Sequence, residues 1–267
     1  MAVAFAGRRH AEAAGRLAYR LGLPRARKFR DPHPLHLMMA DDPRAEGDVG
    51  HRLELRVVEP GHALAGGRGV AADPLALDTD SAAGRSRRSP IHRAFGLHRR
   101  RAGDAPLRVL DATAGLGEDA WLLAAAGGRV TAVERHPVVH ALLADGLRRA
   151  AERMPDVAAR VTLLSPADAA AVLAEPPEPF DAVLLDPMFP GADRRRTLER
   201  KPLRVLRMLC GDDADADALL PAALGVARWR VVVKRPKHAP PLAGRPPAAE
   251  HAGRGLRFDV YPAAARS

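Results

Sequence analysis

The chain has 267 residues, 47% of them hydrophobic, which is enough for one large domain or for one domain with a smaller unit attached. A single cysteine, Cys210, excludes an intramolecular disulfide and a cysteine-cluster metal site. No apolar run is long enough for a membrane-spanning helix. We therefore expect a cytoplasmic protein with no bound metal. The formal net charge of +10 indicates a polyanionic partner, although arginines scattered over the surface by genome composition would give the same total.

The first hundred residues combine short strand and helix patterns. Residues 2–6 and 53–58 are typical of strands, residues 10–21 have the spacing of an amphipathic helix, residues 35–39 are a second apolar run, and residues 74–78 suggest a further short strand. We therefore predict a small N-terminal α/β appendage with a basic linker over residues 1–100, followed by a larger domain over residues 101–267.

The appendage ends in the most basic segment of the chain, residues 85–101. Phe95 and Gly96 are interleaved with its arginines and histidines. Such a segment can contact phosphates or can be a solvated linker between domains, and the residues do not separate the two interpretations. We take His92 and Arg93 as its candidate contacts to a nucleic acid.

Residues 108–135 have the pattern of a nucleotide-binding βαβ unit. An apolar run ends in Asp111, Gly115 and Gly117 supply a turn, helix-forming residues follow, and a second apolar run is closed by Glu134. Glycine lets the backbone approach a ligand, and the N-terminus of the helix directs N–H groups to the same place. Glu134 follows Asp111 at about the twenty-residue spacing of a ribose-binding acid. A βα turn that needs glycine only for its geometry is the alternative interpretation.

This unit leaves two ligand classes open. Gly115-x-Gly117-x-x-Ala120 fits the dinucleotide fingerprint, so an NAD-dependent oxidoreductase is one alternative. Asp111, four residues before the first glycine, instead resembles the first motif of S-adenosylmethionine-dependent methyltransferases, in which this acid lies near the methionine end of the cofactor.

The next elements supply one further candidate ligand. Pro137 predicts the first turn of a helix, and residues 161–164 predict a strand that is followed by Asp168 on a loop. In methyltransferases of this architecture an acid at that point often accepts a hydrogen bond from the adenine amino group. The same side chain is equally suited to cap a helix over residues 169–173, and both roles can hold.

A fourth apolar strand, residues 180–185, leads into Asp186-Pro187-Met188-Phe189, which resembles the Asp/Asn-Pro-Pro-Tyr/Phe motif of methyltransferases that act on exocyclic amino groups of bases. Asp186, with a backbone carbonyl of the Pro187 turn, can accept both protons of such an amine and offset the positive charge that develops during attack. Pro187 stiffens the loop, and Phe189 can stack on the base. An ordinary βα turn with a buried phenylalanine is the alternative.

A second basic run follows this loop directly. Its cationic side chains are Arg194, Arg195, Arg196, Arg200, Lys201, Arg204 and Arg207. A basic strip beside the target base is where a nucleic-acid backbone would lie, and we select Lys201 and Arg204 as candidate contacts.

The last part of the chain predicts a helix over residues 219–227, a fifth strand over residues 230–233, and a closing strand over residues 256–261. Residues 244–255 are rich in Pro, Gly and Ala and predict a loop. Lys234 and Arg235 follow the fifth strand onto the ligand rim, which makes them further candidate RNA contacts.

Five segments together resemble the ribosomal RNA small subunit methyltransferase J family. They are Asp111–Gly117, Glu134-Arg135 with Pro137-Val-Val, Leu185–Pro190, Val231–Pro236 with Ala239–Leu242, and Arg257–Tyr261. The match covers nearly all of residues 107–262 in order and is more diffuse before them. The resemblance implies guanine-N2 methylation of 16S ribosomal RNA, in the loop of its 3′-terminal hairpin, with S-adenosylmethionine as cofactor. It also implies cofactor contacts at Glu118, Asp119, Glu134, Arg135, Asp168 and Asp186.

We therefore predict an α/β protein of the class I methyltransferase type, with a mostly parallel seven-stranded sheet, helices on both faces and the N-terminal appendage. Asp186, Pro187 and Phe189 are its expected catalytic residues, and Asp111, Gly115 and Gly117 join the expected cofactor contacts. The expected partner is 16S ribosomal RNA or the small ribosomal subunit, with no membrane and no metal. The alternatives are an NAD-dependent oxidoreductase and a non-catalytic RNA-binding protein on a methyltransferase scaffold. The sequence does not indicate an oligomeric state.

Overall fold

The structure is a computed structural model that describes residues 1–26, 33–44, 50–79, 81, 88–101, 103–188, 201–211, 213 and 215–263. It contains two β-sheets, one of three strands and one of seven, with helices packed against them. Among the helices of the described residues, none combines the length and the apolar character that crossing a membrane requires.

The N-terminal part of the chain forms the smaller sheet and one helix. The strands are β1 (Ala2–Phe5), β2 (Leu35–Asp41) and β3 (His51–Val57), and the helix is α1 (Ala11–Leu21). Strand β2 lies in the middle, parallel to β1 and antiparallel to β3. The strands predicted over residues 2–6 and 53–58 and the helix predicted over residues 10–21 are confirmed, and the apolar run of residues 35–39 lies in β2. Residues 74–78 were wrongly predicted as a strand: Pro74–Ala76 is a 3-10 helix, because proline at a first helical position has the φ of a helix already.

The larger sheet has the order β6-β5-β4-β7-β8-β10-β9. Its strands are β4 (Arg108–Asp111), β5 (Arg129–Ala132), β6 (Val161–Leu163), β7 (Ala182–Leu185), β8 (Arg230–Pro236), β9 (Ala249–Ala252) and β10 (Leu256–Pro262). Strands β4 to β8 are parallel, and β10 is antiparallel to both of its neighbours. The predicted mostly parallel seven-stranded sheet is thus confirmed. The strand order reverses at β4, and in open α/β sheets the ligand crevice opens beyond the carboxyl ends at such a point.

Strand β9 lies inside the stretch that the sequence predicts as a loop. Its four residues, Ala249 to Ala252, have no alternation of apolar and polar side chains, and three of the four are exposed. They are extended because they pair with β10 at the edge of the sheet. The prediction was wrong because pairing across the sheet, which local composition does not report, makes this segment a strand.

Helices cover both faces of the larger sheet. They are α2 (Pro90–Ala94), α3 (Glu118–Ala125), α4 (Pro137–Arg153), α5 (Pro155–Ala158), α6 (Ala169–Ala174), α7 (Lys201–Cys210) and α8 (Ala216–Val226). Strand side chains alternate between the faces. Val109 and Val232 pack with α2 and α3, whereas Leu110 and Val231 pack with α6 and α8.

The basic segment before β4 is not a solvated linker in its described part, residues 88–101. Ile91, Ala94, Phe95 and Leu97 are buried in the same hydrophobic cluster as Val109. This segment therefore belongs to the core of the larger sheet, and its charges project from a packed helix.

The two sheets share one hydrophobic cluster. Leu37 and Leu55 of the smaller sheet pack in it with Val138 and Leu142 on α4 and with Val205 on α7. Helix α4 also carries Gly146, where an added Cβ would lie 2.7 Å from the Cβ of Ala72, so the close approach of the N-terminal part needs glycine there. A division of the chain at residue 100 stays a prediction.

A buried carboxylate on α4 strengthens this junction. Asp145 accepts hydrogen bonds from the backbone N–H of Leu53 on β3 at 2.9 Å and from Arg149 Nε at 2.9 Å. Arg149 in turn donates to the carbonyl oxygen of Ala72. The Asp145 and Arg149 side chains are each only 4% exposed, so water cannot replace either partner.

We expect Asp145→Ala to lower the free energy of unfolding by about 3–5 kcal/mol, because the Leu53 N–H stays buried without its acceptor and the buried Arg149 charge keeps only the more distant Asp42, at 3.8 Å, as a carboxylate partner. Urea unfolding followed by circular dichroism measures the loss. Glu152→Ala is the matched control, since Glu152 pairs with Arg148 at the surface of the same helix and should contribute only about 0.2–0.5 kcal/mol. Equal losses in the two variants would contradict the role assigned to Asp145.

Candidate active site

Four parallel strands bring the predicted site residues to one edge of the larger sheet. Asp111 ends β4, Glu134 follows β5, Asp186 follows β7, and Lys234 lies near the end of β8. Because β5, β4, β7 and β8 are neighbours in that order, their carboxyl ends surround a common crevice.

The glycine turn lies between β4 and α3. Gly117 caps α3 in the left-handed region with φ +77°, and an added Cβ there would lie 2.4 Å from Leu143 Cδ1. Gly115 also has positive φ, but a Cβ added to it would meet no atom within 4 Å, so the backbone faces open space. One glycine is therefore required by packing, and the other leaves room for a ligand to approach the backbone.

Glu134 holds the glycine turn in place. Its Oε2 accepts a hydrogen bond from the N–H of Gly115 at 3.0 Å, and its Oε1 accepts one from the N–H of His136 at 2.7 Å. Burial raises the pKa of Glu134, and these two backbone donors oppose that rise. Each oxygen keeps a further lone pair, so the carboxylate can fix the turn and still accept hydrogen bonds from a ligand.

Lys234 joins the carboxylates of two different loops. Its Nζ lies 2.7 Å from Asp119 Oδ2 at the start of α3 and 3.0 Å from Asp186 Oδ2 after β7. Thr113 makes a second connection, since its Oγ1 accepts a hydrogen bond from the N–H of Asp186 at 2.6 Å. The glycine turn and the Asp-Pro loop are thus held together by a partly buried ion pair and a hydrogen bond.

The charges at this edge are unbalanced. Asp111, Asp119 and Asp186 face one ammonium group, that of Lys234. Burial, and then Asp119, raise the pKa of Asp111 well above its ordinary value. Burial also raises the pKa of Asp186, with Lys234 opposing it. Burial lowers the pKa of Lys234, but Asp186 and Asp119 outweigh it and raise that pKa. The crevice therefore favours a positively charged ligand group.

Asp213 supports the Asp-Pro loop from the other side. Its Oδ2 accepts a hydrogen bond from the N–H of Met188 at 2.7 Å, and its own N–H donates to the Met188 carbonyl oxygen at 2.7 Å. Asp213 also pairs with Arg135, which follows Glu134. Neither Asp213 nor the role of Thr113 was predicted from the sequence. No sequence motif marks Asp213, and the hydrogen bond from Asp186 to Thr113 joins residues 73 positions apart in the chain.

Asp168 caps α6, as one of its two predicted roles requires. Its side chain accepts a hydrogen bond from the N–H of Ala170 at 2.8 Å, and Oδ2 lies 3.7 Å from Arg135 Nη1. The carboxylate is half-exposed and lies at the same edge as Arg135, so the cap leaves the second role, acceptance of an adenine amino group, as a prediction.

The residues predicted to contact RNA differ in how exposed their side chains are. Arg93 is exposed, whereas His92 and Arg235 are buried, with His92 Nε2 3.3 Å from the carbonyl oxygen of Leu122. In this structure neither His92 nor Arg235 is open to a ligand at the surface, and RNA contact by either residue stays a prediction. Lys201 Nζ donates to the carbonyl oxygens of Gly66 at 2.6 Å and Arg68 at 3.2 Å, which fastens α7 to the N-terminal part.

Other predictions are only partly covered by the structure. Pro187 is a buried residue of the Asp-Pro loop, Glu118 is exposed at the start of α3, and Arg204 is half-buried on α7. Phe189 and the arginines of residues 194–200 lie outside the described residues. Within the described residues, no three His, Cys, Asp or Glu side chains are grouped to hold a metal ion.

Comparison with known proteins identifies similar sequences and structures. A family model described as "Putative SAM-dependent methyltransferase" matches residues 70–263. A protein of Alkalilimnicola ehrlichii named ribosomal RNA small subunit methyltransferase J is 41% identical over 261 residues, covering 87% of this chain and 97% of that one. A protein of the same name from Marinobacter nauticus is 51% identical over 174 residues, covering 64% of this chain and 61% of its own.

A solved structure has the same architecture. The crystal structure of an SAM-dependent methyltransferase from Neisseria gonorrhoeae is 29% identical, covers 100% of this chain and 98% of its own, and superposes with a TM-score of 0.68. These similarities favour a methyltransferase over a dinucleotide-dependent oxidoreductase.

We expect Glu134→Gln to raise the Kd for S-adenosylmethionine roughly 10- to 100-fold. The amide loses the charge that strengthens a hydrogen bond to a ribose hydroxyl, and its NH₂ group would face a backbone N–H of Gly115 or His136. Isothermal titration calorimetry measures the change. Glu175→Gln removes the same charge at an exposed position on the far end of α6 and should leave the Kd unchanged. An unchanged Kd in Glu134→Gln would rule out the cofactor role of this carboxylate.

Proposed function

Because the chain belongs to the ribosomal RNA small subunit methyltransferase J family of S-adenosylmethionine-dependent enzymes, we propose that it methylates the exocyclic N2 of a guanine in 16S ribosomal RNA. The relatives carry the small ribosomal subunit in their name, and the guanine and the 3′-terminal hairpin loop follow from the motif resemblance. The observation that supports the proposal best is that Asp186 is held at the same edge as the glycine turn by Lys234 and Thr113.

The residues of the crevice fit the cofactor. Gly115 leaves the backbone open, Glu134 offers carboxylate oxygens, and the net negative charge of Asp111, Asp119, Asp186 and Lys234 suits a sulfonium. When bound, S-adenosylmethionine supplies the methyl group: the guanine N2 lone pair forms the new C–N bond, the C–S bond breaks with its electron pair going to sulfur, and one N2 proton is released.

Asp186 is the residue that prepares the amine. The lone pair of a guanine amino group is delocalised into the ring, so the nitrogen needs acceptors for its protons to become pyramidal. Lys234 occupies Asp186 Oδ2, and in the described part of the chain no donor reaches Asp186 Oδ1. Oδ1 and a backbone carbonyl of the Pro187 turn are therefore free to accept the two N–H groups, and the carboxylate takes the released proton.

Hydrogen bonds hold the described part of the loop, Asp186 to Met188, before substrate arrives. Asp213 binds both backbone groups of Met188, Thr113 binds the N–H of Asp186, and Pro187 restricts the chain between them. Acceptors that are held in place before the reaction do not need to reorganise as charge develops, which is the main source of catalysis in sites of this kind. Phe189 is the proposed stacking partner for the base. Because the proposed substrate is ribosomal RNA, we propose that the protein acts in the cytoplasm.

We expect Asp186→Ala to lower kcat for methyl transfer to small-subunit RNA roughly 100- to 1,000-fold, while the Kd for S-adenosylmethionine changes much less, because the carboxylate acts on the amine. Incorporation of labelled methyl groups into undermethylated small subunits measures kcat, and mass mapping of nuclease fragments with and without enzyme identifies the base. Full activity in the variant, or a methyl group on a base other than guanine, would contradict the proposal.

Lys234→Met tests the electrostatic support of Asp186. Lys234 opposes the rise that burial causes in the pKa of Asp186, so its removal raises that pKa further. Asp186 must be ionised to accept protons, and we therefore expect the acidic limb of the kcat/KM profile to move to higher pH, with activity that is lost at the acidic end and returns as the pH rises. Lys234→Arg retains the charge and should retain the limb. A limb in the methionine variant that coincides with that of the unmodified enzyme would exclude this role.

A further inference from the structure

An aromatic side chain lies exposed at the start of β8, beside an arginine. Trp229 is 42% exposed, and the guanidinium carbon of Arg230 lies 3.4 Å from the centroid of a Trp229 ring. The edge of the indole lies against Gly96, where an added Cβ would be 2.6 Å from Trp229 Cη2. Aromatic residues are only 4% of this chain, and five of the eight that the structure describes are buried, so an exposed tryptophan held in place by its neighbours is uncommon here.

Basic side chains surround this tryptophan. Helix α2 lies across β9 and β10, with Arg93 exposed on its outer side, and His98 and Arg99 are exposed in the 3-10 helix that follows it. Arg230 reaches the end of α2, where Nη1 donates to the carbonyl oxygen of Ala94 at 2.7 Å. We call Arg93, His98, Arg99, Trp229, Arg230 and His251 the basic-aromatic surface.

These charges are close together and lack compensation. Burial lowers the pKa of His251, and Arg93, His98, Arg230 and Arg99 lower it further, which shows that the cations lie near one imidazole. Among the residues that the structure describes, neither Arg93 nor Arg99 has a carboxylate partner. Like charges gathered on one face repel each other, and a polyanion would relieve that repulsion.

The surface lies within reach of the active-site edge. His251 pairs with Phe258 on β10, and Phe258 pairs with Lys234 on β8, which places His251 roughly 10 Å from Lys234 across two strand spacings. Trp229 precedes Lys234 by five residues, or roughly 17 Å along an extended strand. Trp229 thus lies at the amino end of β8, and a nucleic acid whose target base enters the crevice at the carboxyl end would reach it by running along the strand for this distance.

We propose that the basic-aromatic surface binds the ribosomal RNA beside the target base, with Arg93 and Arg99 on phosphates and Trp229 stacked on an unpaired base. The inference rests on the proposed function, because it assumes an RNA substrate at the crevice. It adds Arg99 and Trp229 to Arg93, a candidate contact that the sequence itself indicates. A planar indole backed by a guanidinium suits a base face, and aromatic stacking combined with flanking cations is how proteins bind single-stranded RNA.

The double charge reversal Arg93→Glu/Arg99→Glu is the first test. We expect the Kd for small-subunit RNA to rise about tenfold or more at roughly 0.15 M salt, and the slope of log K against log salt to fall by about 2, one for each lost phosphate contact. The Kd for S-adenosylmethionine and the melting temperature should not change. Arg8→Glu/Arg20→Glu makes the same charge change at exposed arginines of the N-terminal part and should have a much smaller effect. Equal effects of both pairs would overturn the proposal.

Trp229→Ala tests the stacking contact separately. We expect it to weaken RNA binding roughly 5- to 100-fold with the salt slope unchanged, whereas Trp229→Phe, which keeps an aromatic face, should restore most of the affinity. If the phenylalanine and alanine variants lose affinity equally while both stay folded, Trp229 is not a stacking platform.

Two further measurements separate this proposal from other outcomes. Vesicles that contain anionic lipid serve as a competing polyanion, and loss of vesicle binding in Arg93→Glu/Arg99→Glu with unchanged RNA affinity would assign the surface to membranes and overturn the proposal. If the unmodified enzyme transfers no methyl group to guanine in small-subunit RNA, the proposed function fails. The RNA-binding comparison among the variants still decides whether this surface binds RNA.

Discussion

The ion pair between Lys234 and the two carboxylates Asp119 and Asp186 is the interaction on which the candidate site depends. It joins the first turn of the helix after the glycine turn to the loop after the fourth parallel strand, so that both loops lie at fixed positions around one crevice. A single ammonium among Asp111, Asp119 and Asp186 leaves the crevice negative. That imbalance costs stability in the free protein, and it favours a cationic cofactor whose charge is lost on methyl transfer.

The N-terminal part of the chain also contacts the same two loops through hydrophobic packing. Its hydrophobic cluster includes the outer side of α4, and Leu116 of the glycine turn and Met188 of the Asp-Pro loop pack against it. Asp145 and Gly146 hold the smaller sheet closely on α4. Since the acceptors at Asp186 must stay fixed to act on the amine, packing that begins in the N-terminal sheet contributes to the geometry of a site far along the chain.

Charge is divided between two regions of the molecule. The crevice is negative and suits a small cation, whereas the face formed by α2, the start of β8 and β9 is positive and suits a polyanion. The net charge of +10 is therefore not uniformly spread. A negative crevice would repel the phosphates of an RNA substrate, so binding energy for the backbone has to come from cations placed outside it.

The sequence by itself determined the succession of most strands and helices along the chain in the larger domain, the glycine turn, and the acids at the ends of β4, β5 and β7. These features are local. A conformation is favoured by residues only a few positions apart, as in apolar runs of strand length, glycines at fixed spacing and a proline motif. Only the tertiary structure decided that β9 is a strand, that His92 and Arg235 are buried, that Thr113 and Asp213 hold the Asp-Pro loop, and that Lys234 bridges two carboxylates. Each of these features depends on which segments become neighbours in space. Strand pairing and burial are set by contacts between residues far apart in the chain, and a local sequence pattern does not contain that information.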